Sequence, residues 1–512
     1  MRIVIVGGGT SGWLSAAACL NEIPHAEVTL IDKQISDPVA VGEATLLGFE
    51  KFLKNHCGFD PREYILELDV GMKGGILFPD WGYKGSKVWH PFYFFNYPFL
   101  SPIEMPIPMV DAWSHAQHIE LQRLSVLYQV SMANLVDRTQ LENAYALHVD
   151  CLKLVKFIRK KILNDITFIN SEVKEIKSDL NGNISSLILE NSGKISGDIF
   201  VDCTGFKSIL RDQQDRVDLS DRLYVDTALA GHIRYRNRPQ EFKPYVSCPA
   251  VDNGWIWEIP LKSRIGSGIV FNRDITTPDE AAQEFCSHWN NRVSPDDLKL
   301  IDWTPYYEKK QWRGNVVSIG LSAGFLEPLE STGVALIMEG VATLTRLLKS
   351  GPYTEHDVDY FNNRMKLLFE ICIDFVNMHY SKSDIESPFW KYVRENYKPS
   401  NSLQFYIDNM SSQQVSNCEG KEFIFGGANW INWMIQSGYK LTPKGYLDFV
   451  DKKRLKGALD HMVVAEDKKV EFADMTGYIH NHVFCDHLLC LLYTSDAADD
   501  TPCVDLGGRR II

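Results

Sequence analysis

Ile3-Val4-Ile5-Val6-Gly7-Gly8-Gly9-Thr10-Ser11-Gly12-Trp13 is the stretch that decides the fold. Its four β-branched residues form an unbroken apolar run, as a parallel strand buried on both faces requires. Gly7, Gly9 and Gly12 follow in GxGxxG spacing, and the Ala-rich run from Leu14 to Leu20 reads as a helix. In that setting Gly7 permits the tight turn, Gly9 lets backbone approach a pyrophosphate, and Gly12 allows the helix to pack closely on the strand. The helix start, at Thr10 and Ser11, then offers free amides to the phosphates. A second strand, Val28 to Ile31, ends at Asp32, where a carboxylate can hold a ribose hydroxyl. Together these features predict a dinucleotide site on a Rossmann-like α/β core. A glycine-rich turn without a ligand is the weaker alternative.

The pattern serves NAD or FAD alike. No second GxGxxG occurs, so a chain that reduced its own flavin through another nucleotide domain is disfavoured. Gly197 to Gly205 is an apolar strand ending in Thr204-Gly205, like the second signature of FAD-binding oxidoreductases. Val316 to Ile319 reads as a third strand, leading through Gly320 into a turn where backbone can approach an isoalloxazine. Three such segments favour FAD.

Composition removes other classes. The 512 residues allow two to four domains or one large α/β core with insertions. A net charge of −13 should repel nucleic acid and anionic membranes. The 11 cysteines are scattered without a CxxC pair, which predicts reduced thiols and a cytoplasmic location. No apolar stretch reads as a membrane span, and Arg2 with its short apolar run does not make a signal peptide.

Gly254-Trp255-Ile256-Trp257-Glu258-Ile259-Pro260 contains WxWxIP. By itself it reads as an alternating strand, with both tryptophans on one face and Pro260 ending the ladder. Alongside it stand Val41-Gly42-Glu43-Ala44-Thr45, Gly71-Met72-Lys73-Gly74, Trp89-His90-Pro91-Phe92, Gly324 through Glu330-Ser331-Thr332-Gly333, and His379-Tyr380. With these motifs, residues 1 to about 395 resemble the flavin-dependent tryptophan halogenases. The resemblance implies that reduced FAD from a separate NAD(P)H-dependent reductase, with oxygen and a halide ion (chloride, bromide or iodide), yields hypohalous acid. That acid would pass to Lys73, and an electron-rich aromatic would be halogenated beside Glu330. It further implies flavin contacts from Gly42, Ala44, Val173, Leu321 and Val334, a halide near Thr332 and Gly333, and an aromatic substrate wall at His90 and Phe92.

The chemistry needs such residues. Hypohalous acid is small and indiscriminate, so an amine must hold it at one carbon. The ring cation formed by attack needs a carboxylate to stabilise it or take its proton. Glu327 is a rival for that role, although the family pattern favours the acid before Ser-Thr-Gly. Ser331 or Thr332 also reads as the cap of a helix running to Gly351-Pro352, and a helix start is itself an anion site. Trp430 and Trp433 offer a second aromatic wall, with core packing an equal alternative.

Tryptophan-specific members hold the amino acid's charged ends with a Tyr-Tyr pair and a glutamate in the C-terminal helical region, which is missing from that region here. An indole, phenol or other aromatic without a zwitterion is therefore the expected substrate. The expected architecture is an FAD-binding core of the flavin monooxygenase type over 1–345, with an antiparallel substrate-side sheet inserted at about 80–130 and 220–310. A mainly helical cap over 346–490 would cover the substrate cavity. Residues 491–512 resemble translated sequencing-adapter DNA and should not belong to the fold. His480, His482, Cys485, His487 and Cys490 match no standard zinc spacing, so no metal is expected. A homodimer is the default assembly. The competing functions are a single-component flavin monooxygenase and a non-catalytic flavoprotein-fold binding module.

Overall fold

The computed structural model describes residues 1–33, 43–65, 67–92, 123, 126, 145–191, 193–410 and 424–439. The expected flavin contact Gly42, the cysteine–histidine cluster and the adapter-like tail lie outside them.

Strand Arg2–Val6 is central in a six-stranded sheet, with Ile3 to Val6 buried. In spatial order the sheet runs Trp312–Arg313, Val316–Ser318, Ile199–Asp202, Arg2–Val6, Glu27–Asp32 and Thr167–Asn170, parallel except for the first pair. The three segments read as nucleotide-binding therefore lie side by side, with Val4 opposite Phe200 and Phe200 opposite Val316. Their carboxyl ends share one edge, where doubly wound sheets bind ligands. Helices Thr10–Glu22, Cys151–Ile162 and Thr332–Lys349 cover one face. On the other, Val4, Val6, Ile31 and Phe200 pack against Leu187 and Leu189 of a three-stranded sheet.

A second, largely antiparallel sheet joins Gly75–Pro79 and Lys87–Pro91 to strands drawn from 227–302. The WxWxIP strand, Gly254–Pro260, runs beside Ile265–Phe271 for its whole length. Trp257 faces Gly268 across that ladder, and a Cβ on Gly268 would lie 2.2 Å from the indole. Glycine there lets the ring lie flat across the sheet.

Leu329–Lys349 is apolar and long enough to cross a membrane by length and composition, more so than the sequence reading allowed. It is a core helix, packed between the Thr10–Glu22 and Glu355–His379 helices. Phe361, Met365, Leu368, Cys372, Phe375 and His379 form the buried face of the 25-residue helix Glu355–His379, as their spacing predicts. Thr354 and Asp357 close its start as a capping box, and Thr277 and Glu280 do the same for helix Pro278–His288. One apolar cluster runs without a break from the Rossmann sheet into these C-terminal helices.

Helix Gly427–Gln436 seats on strand Lys87–Pro91. Gln436 accepts from the Trp89 N–H at 2.8 Å and donates to the Trp89 carbonyl at 2.7 Å, while Asn432 donates to the same carbonyl at 2.8 Å. Side-chain amides thus satisfy the backbone of an edge strand, which would otherwise offer a pairing template.

Candidate active site

On the flavin side the glycines do separate steric work. Gly7 sits at φ +106°, and a Cβ there would lie 2.2 Å from the Cys203 carbonyl oxygen. A Cβ on Gly12 would lie 1.8 Å from the Gly7 carbonyl oxygen, so only glycine lets the helix approach the strand. Gly9 precedes the helix without a side-chain cap, and a Cβ on it would meet nothing within 4 Å. Open space before uncapped amides at Thr10 and Ser11 fits a pyrophosphate. Asp32 accepts from the Gly8 N–H at 3.0 Å, and burial raises its pKa. Its contact explains the glycine between Gly7 and Gly9: a Cβ on Gly8 would lie 2.4 Å from the Asp32 carboxylate.

Asp202 ties the remaining turns together. Its carboxylate accepts from the Thr204 N–H and hydroxyl, the Ser322 hydroxyl and the Leu210 N–H. Between those turns Leu321 is 37% exposed, its carbonyl accepting from the Tyr306 hydroxyl. Val334 is buried in the first turn of Thr332–Lys349, and Ala44 is buried beside His148. Val173 begins a strand paired with Ile184–Leu189.

Lys73 ends the short strand Gly71–Lys73 and is wholly buried. Its Nζ donates to the Thr45 carbonyl and to Ser331 Oγ, both at 2.9 Å, and lies 5.0 Å from the Phe92 ring centre. The amine thus bonds the residue after Glu330 and senses the carboxylate by charge. Burial lowers the Lys73 pKa to about 7, against the opposing pull of Glu330. Between about pH 10 and pH 7 the unfolded chain therefore binds the additional proton, and the burial cost grows as pH falls. The melting temperature of Lys73→Met relative to wild type should accordingly rise from pH 10 to pH 7 and then level off, a trend that calorimetry can follow.

Glu330 and Ser331 both have positive φ, 62° and 58°. Two successive non-glycine residues in the left-handed region are strained, and such strain concentrates at functional turns. The kink stands Glu330 inside the protein just before helix Thr332–Lys349 begins. Ser331 occupies the cap position of that helix but makes no cap bond; its hydroxyl accepts from Lys73 instead. Thr332 is buried, Gly333 is exposed, and a Cβ on Gly333 would meet nothing within 4 Å.

The Glu330 carboxylate meets two histidines: His90 Nδ1 lies 2.8 Å from each oxygen, and His379 Nε2 lies 2.7 Å from Oε1. Burial pushes the Glu330 pKa up, but His90 and His379 outweigh it and hold it at about 2. Burial pushes His379 down, while its bonds to Glu330 and to the Phe375 carbonyl pull it back toward the protonated form. The rival Glu327 accepts from the Tyr380 hydroxyl at 2.8 Å, and that hydroxyl accepts from Trp255 Nε1 at 3.1 Å. Burial lifts Glu327 to about 8, so it is neutral at pH 7 and cannot stabilise a cation.

The aromatic residues divide. His90 and Phe92 meet edge to face at 6.4 Å beside Lys73. Trp433 stacks on His379 at 3.6 Å, whereas Trp430 packs on Phe375 and Tyr406 one layer farther out. The chain's Tyr-Tyr-Glu run, Tyr306-Tyr307-Glu308, is a buried strand outside the C-terminal helical region. Tyr307 stacks on Phe369, and Glu308 faces Arg211 and Arg216.

The sequence motifs alone give His379 no role, do not single out Asn429 and do not imply the Lys73–Ser331 bond. A histidine closing the apolar series Phe361, Met365, Leu368, Cys372 and Phe375 at three- and four-residue steps was the available signal for His379. Nothing local marks Asn429, which bonds His90 Nε2 at 2.7 Å from 339 residues away.

The tryptophan halogenase profile matches residues 2–454 of the chain. Tryptophan 7-halogenase RebH of Lentzea aerocolonigenes is 27% identical over 431 residues, 80% of this chain and 81% of its own. Tryptophan 6-halogenase ThaL of Streptomyces albogriseolus is 27% identical over 421 residues, 77% and 78% of the two chains. Among solved structures, BrvH, a flavin-dependent halogenase from Brevundimonas sp. BAL3, superposes with a TM-score of 0.79 at 26% identity over 95% of this chain and 99% of its own. The tryptophan halogenase of Shewanella frigidimarina NCIMB 400 has the same fold, with a TM-score of 0.80 at 24% identity over 94% and 97%. With the family profile spanning the flavin edge and the Lys73–Glu330 pocket alike, the chain belongs to the tryptophan halogenase family, whose members are flavin-dependent oxidoreductases.

Proposed function

We propose that this protein is a two-component, FADH2-dependent halogenase that places a halogen on a small electron-rich aromatic, an indole or a phenol. With FAD held at the Gly7–Gly12 turn, the reduced cofactor, oxygen and a halide supply hypohalous acid. A separate NAD(P)H-dependent flavin reductase delivers FADH2, since the chain has no second nucleotide fingerprint.

The observation that carries the proposal is the run Glu330–Gly333. Within four residues it offers uncapped amides and an open glycine on one side, and on the other a hydroxyl bonded to a buried amine and a buried carboxylate. Thr332 and Gly333 would hold the halide. Lys73 would receive hypohalous acid as a hydrogen-bond donor or as a haloamine, and Ser331 aims its Nζ. Glu330 stabilises the ring cation and takes its proton. His90, Phe92 and Trp433 supply flat walls for a neutral ring, with Trp430 supporting them. RebH and ThaL act, by their names, on tryptophan. This chain lacks a Tyr-Tyr-Glu run in the corresponding helical region, which favours a substrate without a zwitterion. Seven described cysteines, all buried and none in a disulfide, fit a reducing cytoplasm, and a homodimer fits the general preference for two-fold assemblies.

The test is the chain with an added reductase, NADH, FAD, oxygen, bromide and indole, analysed by mass spectrometry. Bromoindole is the expected product. Hydroxylated indole with no brominated product, whatever the bromide concentration, would make the protein a monooxygenase.

A further inference from the structure

His379 is the last residue of helix Glu355–His379 and is fully buried, with Trp433 stacked on its ring and Phe78, Trp81 and Phe375 at its edges. Its Nδ1 lies 2.7 Å from the Phe375 carbonyl, which has no hydrogen to give, so Nδ1 must carry one. Its Nε2 lies 2.7 Å from Glu330 Oε1. A neutral His379 facing an ionised Glu330 would set two lone pairs against each other at that distance. A proton must therefore sit between them.

His90 cannot supply it. The Asn429 amide is oriented by its own Oδ1, which accepts from the Gly426 N–H at 2.8 Å. Its Nδ2 therefore donates to His90 Nε2, leaving the His90 hydrogen on Nδ1, already directed at Glu330. The other titratable groups facing the pair are Lys73, the Cys248 and Cys372 thiols, and Glu327 through Tyr380. The thiols and Glu327 are held neutral near pH 7 by burial. The array thus holds one proton more than a carboxylate beside two neutral imidazoles.

We infer that Glu330 and His379 share a single proton that the halogenation lends and recovers, with His379 acting through Glu330 as a positioning residue. This rests on the halogenase reading above. When the ring attacks hypohalous acid, the carbon–halogen bond forms and the oxygen–halogen bond breaks. The departing hydroxide takes the shared proton and leaves as water. The ring's carbon–hydrogen bond then breaks, its electron pair restores aromaticity, and its proton goes to the Glu330 carboxylate. Arene plus hypohalous acid gives haloarene plus water, and the pair ends with the proton it began with.

Nitrogen-15 NMR of histidine-labelled wild-type protein, with His379 assigned by its loss in His379→Gln, reads the proton count without any turnover. The expected result is a protonated Nδ1 and an Nε2 that is protonated or shifted by a shared proton, unchanged between about pH 6 and 9. A bare Nδ1, or a His379 that titrates like an ordinary imidazole, overturns the inference. In turnover, His379→Gln should lose roughly 10²-fold in product per FADH2 oxidised. Its remaining activity should fall as pH rises, because Glu330 alone must then hold the proton. Wild-type coupling and an unchanged pH profile in that variant would reduce His379 to packing. Absence of halogenated product from wild type would sink the halogenase reading and leave the NMR result standing.

Discussion

Lys73→Ala should lower halogenated product by at least about 10³-fold, equivalent to about 4 kcal/mol of barrier, while oxidation of FADH2 continues at the wild-type rate. The two halves of the reaction separate because Lys73 belongs to the small sheet that joins Gly71–Lys73 to Ala146–Val149, and not to the nucleotide-binding edge. Alanine removes the bonds to Thr45 and Ser331 and leaves nothing to hold hypohalous acid at the substrate. The acid should then escape and be captured by a soluble chlorination or bromination probe in amounts matching the FADH2 consumed. Lys73→Arg should not rescue product, because a guanidinium stays charged near pH 7, where Lys73 is already partly neutral. Product formed at wild-type levels by Lys73→Ala would remove the amine from the mechanism.

Much of the flavin edge was legible because it is local. Strand, glycines and helix follow within 22 residues, and each glycine's role is set by contacts the spacing already implies. The fold class and the family followed from such contiguous motifs. The Glu330 pocket was legible only as a set of residues. Lys73, His90, Glu330, His379 and Asn429 come from five separate segments, and local pattern does not say which of them bond. The sequence therefore paired Lys73 with Glu330, whereas the amine bonds Ser331 and the carboxylate bonds two histidines. Ser331 read as a helix cap for the same reason: its position in the chain is that of a cap, and only the distant lysine turns its hydroxyl elsewhere. Glu327 and Glu330 could not be separated by type, but burial without an opposite charge leaves one neutral and two histidines keep the other ionised.

Glu330→Gln should lose about 10²- to 10³-fold in product per FADH2 oxidised, again with hypohalous acid still formed. The substitution nearly preserves shape, so the loss reports charge and proton transfer more than packing. Glutamine keeps one acceptor oxygen for His90 and His379, but its amide N–H groups oppose the histidine hydrogens directed at the carboxylate. The ring cation loses its counter-charge and its proton acceptor together. A second effect has a definite sign. Glu330 raises the Lys73 pKa, so removing its charge should drop that pKa below about 7 and leave more of the amine neutral. Hypohalous acid capture at Lys73 should therefore survive in Glu330→Gln, and transfer to the ring should become the slow step. Rapid-quench experiments with a deuterated indole would show this as a primary isotope effect larger than in wild type. Retention of full product formation by Glu330→Gln, with no change in isotope effect, would assign proton removal to water or to another group and leave the carboxylate a purely structural part of the strained turn.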